Sequence, residues 1–268
     1  MSQHELHFCH ANGFPAQSYR TLFQSLSAHF QIGHLDRHAH NPQYPVTDSW
    51  PHLVDELIDH LEAQYSNPVT AVGHSMGGVL IYMATLKRPD LFKAYVMLDA
   101  PLLLGVDRLF MGAAKQLGLV DKVTPAGRTQ GRCEWWPDFD TAVAYFSGKG
   151  LFRHMDPRCI EDYVRYGTEP AQGGLQLRYS AETEVNLYRT LPHQLGGKQA
   201  RSAVPGAFIY GRQSRVVWPY QVRMMREKAG VYATGIEGSH MFPLEHPEKT
   251  AQTIVDVLQK RATWQEAS

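Results

Sequence analysis

The segment that decides the fold is an apolar run, then a serine flanked by glycines, then a second apolar run. It reads VTAVGHSMGGVLIYM over residues 69–83, with Ser75 at the centre of a G-x-S-x-G pattern. A strand that turns sharply into a helix exposes such a serine, and glycines allow the close backbone approach that this turn requires. The helix that follows presents free N–H groups and partial positive charge at its start. The segment therefore predicts a strand–turn–helix unit with Ser75 as a candidate nucleophile.

Short apolar runs alternate with amphipathic segments on both sides of this unit. Such alternation is typical of a parallel sheet covered by helices. We predict strands at residues 6–9, 31–35, 69–73, 95–98, 207–210 and 231–234. We predict helices at residues 17–30, 50–65, 76–87, 219–228 and 247–261.

The alternation stops between residues 102 and 203, where aromatic residues are dense and helical stretches occur without a clear strand. We predict a helical cap inserted at residues 102–203, in a core formed by residues 1–101 and 204–268. The aromatic side chains either build the insertion's own core or roof an apolar substrate cleft. The candidates to line such a cleft are Trp135, Trp136, Phe139, Tyr145 and Phe146.

Two loops that follow predicted strands carry groups that could serve Ser75. His240 follows the last predicted strand, and an imidazole can accept a serine proton near neutral pH. Functional groups of open α/β sheets gather at this carboxyl edge. The loop HANGFP at residues 10–15 follows the first predicted strand. It is either a plain turn or part of an oxyanion site, for which we predict the N–H groups of Phe14 and Met76 as donors.

In the order of these parts the sequence resembles the α/β-hydrolase superfamily, in particular its cap-bearing branch. The resemblance covers nearly the whole chain. It implies an α/β fold with a doubly wound, mainly parallel sheet and an inserted helical cap. The family usually has two further strands before the oxyanion loop, which here begins at His10. We therefore expect about six strands.

The acid of a catalytic triad is missing from the place where the resemblance puts it, because that position holds Ser214. A serine cannot balance an imidazolium charge, and loss of the acid costs on the order of 10⁴ in rate. Asp99, at the end of the strand predicted at residues 95–98, is the candidate replacement, since some members of the superfamily place the acid there. The alternatives are another carboxylate, such as Glu237, and no acid at all.

The composition excludes several classes of function. Lys and Arg number 26, as do Asp and Glu, so the net charge of +0 gives no support to a nucleic-acid partner. The longest apolar run, around residues 79–86, is far shorter than the roughly 20 residues of a membrane span. The N-terminal residues show no signal segment. Three scattered cysteines predict no disulfide framework and a cytoplasmic location.

A metal site is a weaker interpretation of the alternating residues His34, Asp36, His38 and His40. Four ligands at a spacing of two in one extended segment cannot easily surround a tetrahedral ion. We therefore expect neither a metal nor a cofactor.

Together these features predict a serine hydrolase that cleaves a carboxylic ester of a small to medium hydrophobic substrate. Ser75 would attack the carbonyl, His240 would accept its proton, and Asp99 would be the acid. Thioesters, lactones and carbon–carbon bonds are alternative substrates for the same site. A degenerate hydrolase that only binds a small ligand is the second class of function. The sequence does not predict an oligomeric state.

Overall fold

The computed structural model describes residues 4–195 and 201–261. Residues 196–200 of the predicted cap lie outside the described residues, as do residues 1–3 and 262–268 at the two ends of the predicted core.

A six-stranded sheet with every neighbouring pair parallel forms the centre of the described chain, in the order β2-β1-β3-β4-β8-β9. Each of its strands coincides with a predicted strand, so the expected sheet is confirmed. The strands in chain order are β1 (His4–Cys9), β2 (Phe30–His34), β3 (Val69–His74), β4 (Phe92–Leu98), β5 (Trp135–Trp136), β6 (Thr168–Ala171), β7 (Gly174–Leu177), β8 (Gly206–Gly211) and β9 (Tyr232–Ile236).

Helices cover both faces of the sheet. In chain order they are α1 (Arg20–Leu26), α2 (Pro51–Gln64), α3 (Met76–Lys87), α4 (Val106–Gln116), α5 (Val120–Val123), α6 (Ala126–Thr129), α7 (Phe139–Ser147), α8 (Pro157–Gly167), α9 (Ala181–Arg189), α10 (Pro219–Met224), α11 (Phe242–Glu245) and α12 (Pro247–Gln259). Among the described residues, each helix is too short or too polar to span a lipid bilayer.

Two of the predicted helices are shorter than expected. The helix predicted at residues 17–30 begins as a 3₁₀ turn at Ala16–Tyr19 and ends at Leu26, since β2 already starts at Phe30. The α-helical part of the one predicted at residues 219–228 ends at Met224 and continues as a π-helical turn, which Gly230 closes with a φ of 68°.

The side chains of β4 alternate between two hydrophobic clusters, as expected for a strand with helices on both faces. Val96 and Leu98 lie in the cluster that includes α1 and α12. Tyr95 and Met97 lie in the cluster that includes α2 and α3. The sheet is therefore the middle layer of three, and its strand ends are the surface on which a site can be built.

The chain between β4 and β8 contains strands that the sequence did not reveal. It carries a three-stranded antiparallel sheet, in the order β5-β7-β6, besides its helices. These strands have two to four residues, too few for an alternating pattern to show. The turn between β6 and β7 has positive φ at Gln172 (47°) and Gly173 (76°), as in tight hairpins. The insertion is therefore mainly helical, as expected, and carries in addition a small sheet that the sequence did not predict.

The serine-bearing turn depends on a close approach between α3 and β1. A methyl group added at Gly77 would overlap the carbonyl oxygen of Cys9. A methyl group at Gly78 would lie 2.6 Å from Cβ of Ala100. These glycines let the start of α3 pack directly against the ends of β1 and β4.

Replacement of Gly77 by alanine should therefore lower the free energy of unfolding by about 1–3 kcal/mol, because the backbone of β1 must shift. Urea unfolding measures this change. The control is Gly150→Ala, where nothing lies within 4 Å of the added methyl group. Equal stability of the two variants would contradict the close approach.

Candidate active site

Ser75 lies at a strained turn between β3 and α3. Its backbone has a φ of 52° and a ψ of −115°, a conformation that residues with a side chain rarely adopt. The Ser75 N–H donates to the carbonyl of Leu98 at 2.9 Å, which ties the turn to the end of β4. The two central strands therefore hold the turn in its strained conformation, and Ser75 itself is half-buried.

His240 connects Ser75 to a carboxylate. Its Nε2 lies 3.1 Å from Ser75 Oγ, and its Nδ1 lies 2.7 Å from Asp99 Oδ2. Because a carboxylate accepts hydrogen bonds, these contacts assign the imidazole hydrogen to Nδ1. Nε2 then has a free electron pair directed at the serine hydroxyl, which is the arrangement that a general base requires.

Asp99 is completely buried at the end of β4, with 0% of its surface exposed. Its Oδ1 accepts the Gly211 N–H at 2.8 Å, and its Oδ2 accepts the Ser214 hydroxyl at 2.5 Å in addition to His240. A buried carboxylate is costly unless hydrogen bonds replace its lost water. Here three donors supply them, one at the end of β8, one in the loop that follows β8 and one in the loop after β9.

The other two residues considered for the role of the acid do not occupy it. Ser214 donates to Asp99 and therefore supports the carboxylate. The Glu237 side chain is 67% exposed and lies 3.8 Å from Nζ of Lys249. Of the alternatives left open by the sequence, the geometry favours Asp99.

The two backbone amides expected to bind an oxyanion differ in their hydrogen bonding. Among the described residues the Met76 N–H, at the start of α3, has no hydrogen-bond partner. The Phe14 N–H instead donates to the carbonyl of Ala11 at 3.1 Å and closes a turn in which Gly13 has a φ of 80°. The expectation that the Phe14 N–H is a free donor is therefore corrected. The Asn12 N–H in the same turn has no partner within the described part of the chain.

Tyr19 and His74 form a buried link that sequence reasoning missed. The Ala11 N–H donates to the Tyr19 hydroxyl at 3.3 Å, and that hydroxyl lies 2.7 Å from His74 Nδ1. His74 Nε2 lies 2.9 Å from the carbonyl oxygen of His240. Burial, with the neighbouring His240 as a second cause, holds the pKa of His74 well below its usual value. A neutral His74 therefore donates from Nε2 and joins the loop at residues 10–15 to the histidine loop.

The histidines at the end of β2 and in the loop after it have different partners. The His38 N–H donates to His10 Nε2 at 2.8 Å, and this hydrogen bond holds the loop at residues 10–15 against the loop after β2. His34 contacts Gln17, Asp36 contacts Arg178, and His40 contacts the carbonyl of His38. Within the described residues, no three His, Cys, Asp or Glu side chains are arranged to hold a metal ion.

The aromatic candidates from the insertion do not form one group. Phe146 stands 5.0 Å from Phe152, whose ring stacks on Phe14 at 5.7 Å between centroids. Trp136 and Tyr145 lie beside Phe146, while Phe139 packs partly buried on the same cluster. Trp135 is 44% exposed and donates to the carbonyl of Ala171, so it lies on the outside of the small sheet. The structure thus brings Trp136, Tyr145 and Phe146 together beside Phe152, which contacts Phe14, and it separates Trp135 from them.

A charged pair from the insertion covers the turn at Gly13. A methyl group at Gly13 would lie 2.9 Å from Glu184 Oε2, and the Asn12 side chain donates to the Glu184 carbonyl at 3.1 Å. Glu184 is paired with Arg132. Burial raises the pKa of Glu184, and Arg132 opposes this shift. Sequence reasoning missed this contact, because residues 13 and 184 are far apart along the chain.

Loss of the Tyr19 hydroxyl should leave the Ala11 N–H and His74 Nδ1 unpaired in a buried site. We expect Tyr19→Phe to lower the free energy of unfolding by about 1–3 kcal/mol, measured by urea unfolding. The control is Tyr44→Phe, which removes a hydroxyl bound to Asp59 at the surface. A Tyr19→Phe protein as stable as the control would show that the hydrogen bonds of Tyr19 do not stabilise the fold.

Comparison with known proteins agrees with this architecture. No curated relative matches the sequence significantly. The chain is similar in structure to E-2-(acetamidomethylene)succinate hydrolase, with 19% identity, coverage of 96% of this chain and 92% of that chain, and a TM-score of 0.76. It is also similar to the thioesterase domain from the curacin biosynthetic pathway (17% identity, 94% and 91% coverage, TM-score 0.69). An esterase of M. tuberculosis is a third (18% identity, 97% and 86% coverage, TM-score 0.68).

Because these identities are low, the three similarities support the fold alone. A sequence model described as the alpha/beta hydrolase family matches residues 8–253, which is most of the chain. The protein therefore belongs to the alpha/beta hydrolase family.

Proposed function

We propose that the protein is a serine hydrolase that cleaves carboxylic esters of small to medium hydrophobic substrates through an acyl-enzyme. One observation carries this proposal. A continuous chain of contacts runs from Asp99 Oδ2 to His240 Nδ1 at 2.7 Å, and from His240 Nε2 to Ser75 Oγ at 3.1 Å. A nucleophile, a base and a group that orients the base are the parts that acyl transfer by serine needs.

In the proposed reaction His240 Nε2 takes the hydroxyl proton while Ser75 Oγ bonds to the ester carbonyl carbon. The negative charge that develops on the carbonyl oxygen is stabilised by the Met76 N–H and by an amide of the loop at residues 10–15. The C–O bond to the alcohol then breaks, and His240 returns the proton to the leaving alcohol. A water molecule then gives a proton to His240 and bonds to the carbonyl carbon of the acyl-enzyme. The bond to Ser75 Oγ breaks, the carboxylic acid is released, and His240 returns the proton to Ser75.

The second donor of this oxyanion site is proposed to be the amide of Asn12. The Phe14 N–H is engaged with Ala11, whereas no described group binds the Asn12 N–H. The Phe14 ring is proposed to form part of an apolar wall of the site, since it contacts the rings of Phe152 and Tyr163.

The Asp99 contact also weighs against the binding-protein alternative. That alternative rested on the lack of a carboxylate at position 214. A buried carboxylate at 2.7 Å from the imidazole can stabilise the imidazolium that forms during attack. A ligand-binding protein with no turnover would have no need of this arrangement.

The hydrophobic preference is supported by the aromatic wall that the insertion builds against Phe14. Phe152 and Tyr163 contact the Phe14 ring at centroid distances of 5.7 and 4.8 Å, and Phe146 contacts both. We propose that residues 102–203 form a cap that closes the acyl pocket with these rings. A series of p-nitrophenyl esters of increasing acyl length, with thioesters of the same acyl groups, tests this preference and the ester bond together.

The proposed location is the cytoplasm. Cys9, Cys133 and Cys159 are all unpaired, and Cys9 and Cys159 are buried. Unpaired cysteines persist most readily in a reducing compartment.

An activated serine should react with a fluorophosphonate probe. We expect labelling of one site per chain, found on the peptide that carries Ser75 by mass spectrometry, and lost in Ser75→Ala. The control is Ser66→Ala, which removes an exposed serine and should label normally. A folded wild-type protein that takes up no probe would rule out the serine mechanism.

Removal of the Asp99 charge should slow the reaction without unfolding the protein. We expect Asp99→Asn to lower kcat by about 10³–10⁴, because the imidazolium loses its stabilising charge and the imidazole its preferred tautomer. The matched control is Glu237→Gln, which removes an exposed carboxylate from the histidine loop and should leave kcat close to wild type. Normal turnover by Asp99→Asn would place the acid elsewhere.

A further inference from the structure

The hydroxyl of Ser214 uses every hydrogen-bonding position it has. It donates to Asp99 Oδ2 at 2.5 Å and accepts the N–H groups of Val216 at 3.1 Å and Val217 at 3.3 Å. A hydroxyl has one hydrogen to give and two lone pairs. Because both lone pairs face backbone amides, the hydrogen of Ser214 is directed to the carboxylate.

The loop that carries Ser214 is fixed to the histidine loop. Gln213 N–H donates to the Gly238 carbonyl at 3.0 Å, and the Gly238 N–H donates to Gln213 Oε1 at 2.5 Å. The Arg212 N–H donates to the carbonyl of Ile236 at 2.8 Å. The Ser214 hydroxyl is thus held in a constant position relative to His240.

Asp99 Oδ2 receives two hydrogen bonds, one from Ser214 and one from His240. The described groups that face the carboxylate are the His240 ring, the Ser214 hydroxyl and the Gly211 amide, and only His240 can carry a positive charge. Hydrogen bonds to an ionised group are about twice as strong as bonds between neutral groups. The hydroxyl therefore orients the carboxylate oxygen that binds His240.

We propose that Ser214 is a positioning residue that holds Oδ2 of Asp99 on His240 Nδ1. The inference rests on the proposed function, in which Asp99 is the acid. The resemblance puts the acid itself at position 214. In this chain the neighbouring strand end supplies the charge, and position 214 supplies a donor to it.

Ser214→Ala removes the donor and leaves Asp99 and His240 in place. We expect kcat/KM to fall about tenfold, mainly through kcat, because a hydrogen bond to a charged group is lost. Ser214→Thr keeps the hydroxyl and should recover the rate.

The double variant Asp99→Asn/Ser214→Ala decides whether Ser214 acts through Asp99. If it does, Ser214→Ala should have no further effect on kcat once Asp99 has lost its charge. A loss by Ser214→Ala that multiplies the loss by Asp99→Asn would overturn the inference and assign Ser214 a purely structural role. Thermal unfolding of each variant checks that the fold is kept.

The outcomes separate this inference from the proposed function. Normal turnover by Asp99→Asn would refute the acid on which both rest. Slow turnover by Asp99→Asn, together with a wild-type rate for Ser214→Ala, would refute the role of Ser214 alone.

Discussion

The buried carboxylate of Asp99 is the contact on which the geometry of the site depends. Its two oxygens accept hydrogen bonds from Gly211 at the end of β8, from Ser214 in the loop that follows, and from His240 after β9. An ionised carboxylate with no exposed surface is stable only when such donors surround it. The same bonds that satisfy the charge therefore bring the ends of three strands together and fix the ring of His240.

The remaining parts are placed by close packing at the same edge of the sheet. The N–H of Ser75 donates to the carbonyl of Leu98, one residue before Asp99, so the strained serine and Asp99 both lie at the end of β4. On the other side Tyr19 and His74 join the loop at residues 10–15 to the carbonyl of His240. Hydrogen bonds at the ends of the central strands and in the loops beside them thus hold the candidate groups, and such support gives a site the precision that catalysis needs.

The sequence predicted those features that arise from local patterns. The six strands follow from short apolar runs, and the turn at Ser75 follows from its glycines. That residues 75, 99 and 240 approach one another follows from topology, because each comes after a parallel strand. The strands of the insertion were missed because two to four residues show no periodicity.

Other features were missed because they depend on distant contacts. The partners of His74 and Glu184 lie on other elements, and the direction of the Phe14 N–H depends on how its own turn closes. A serine at position 214 could be seen in the sequence as the loss of an acid. Only the structure shows that the Ser214 hydroxyl donates to the carboxylate of Asp99.

The hydrogen bond between His240 and Asp99 is the central claim, and NMR of imidazole protons tests it most directly. In protein labelled with ¹⁵N-histidine, we predict a strongly deshielded N–H proton bonded to Nδ1 of His240. It should move upfield in Asp99→Asn and persist in Glu237→Gln. A His240 Nδ1–H resonance that is the same in wild type and Asp99→Asn would contradict the account.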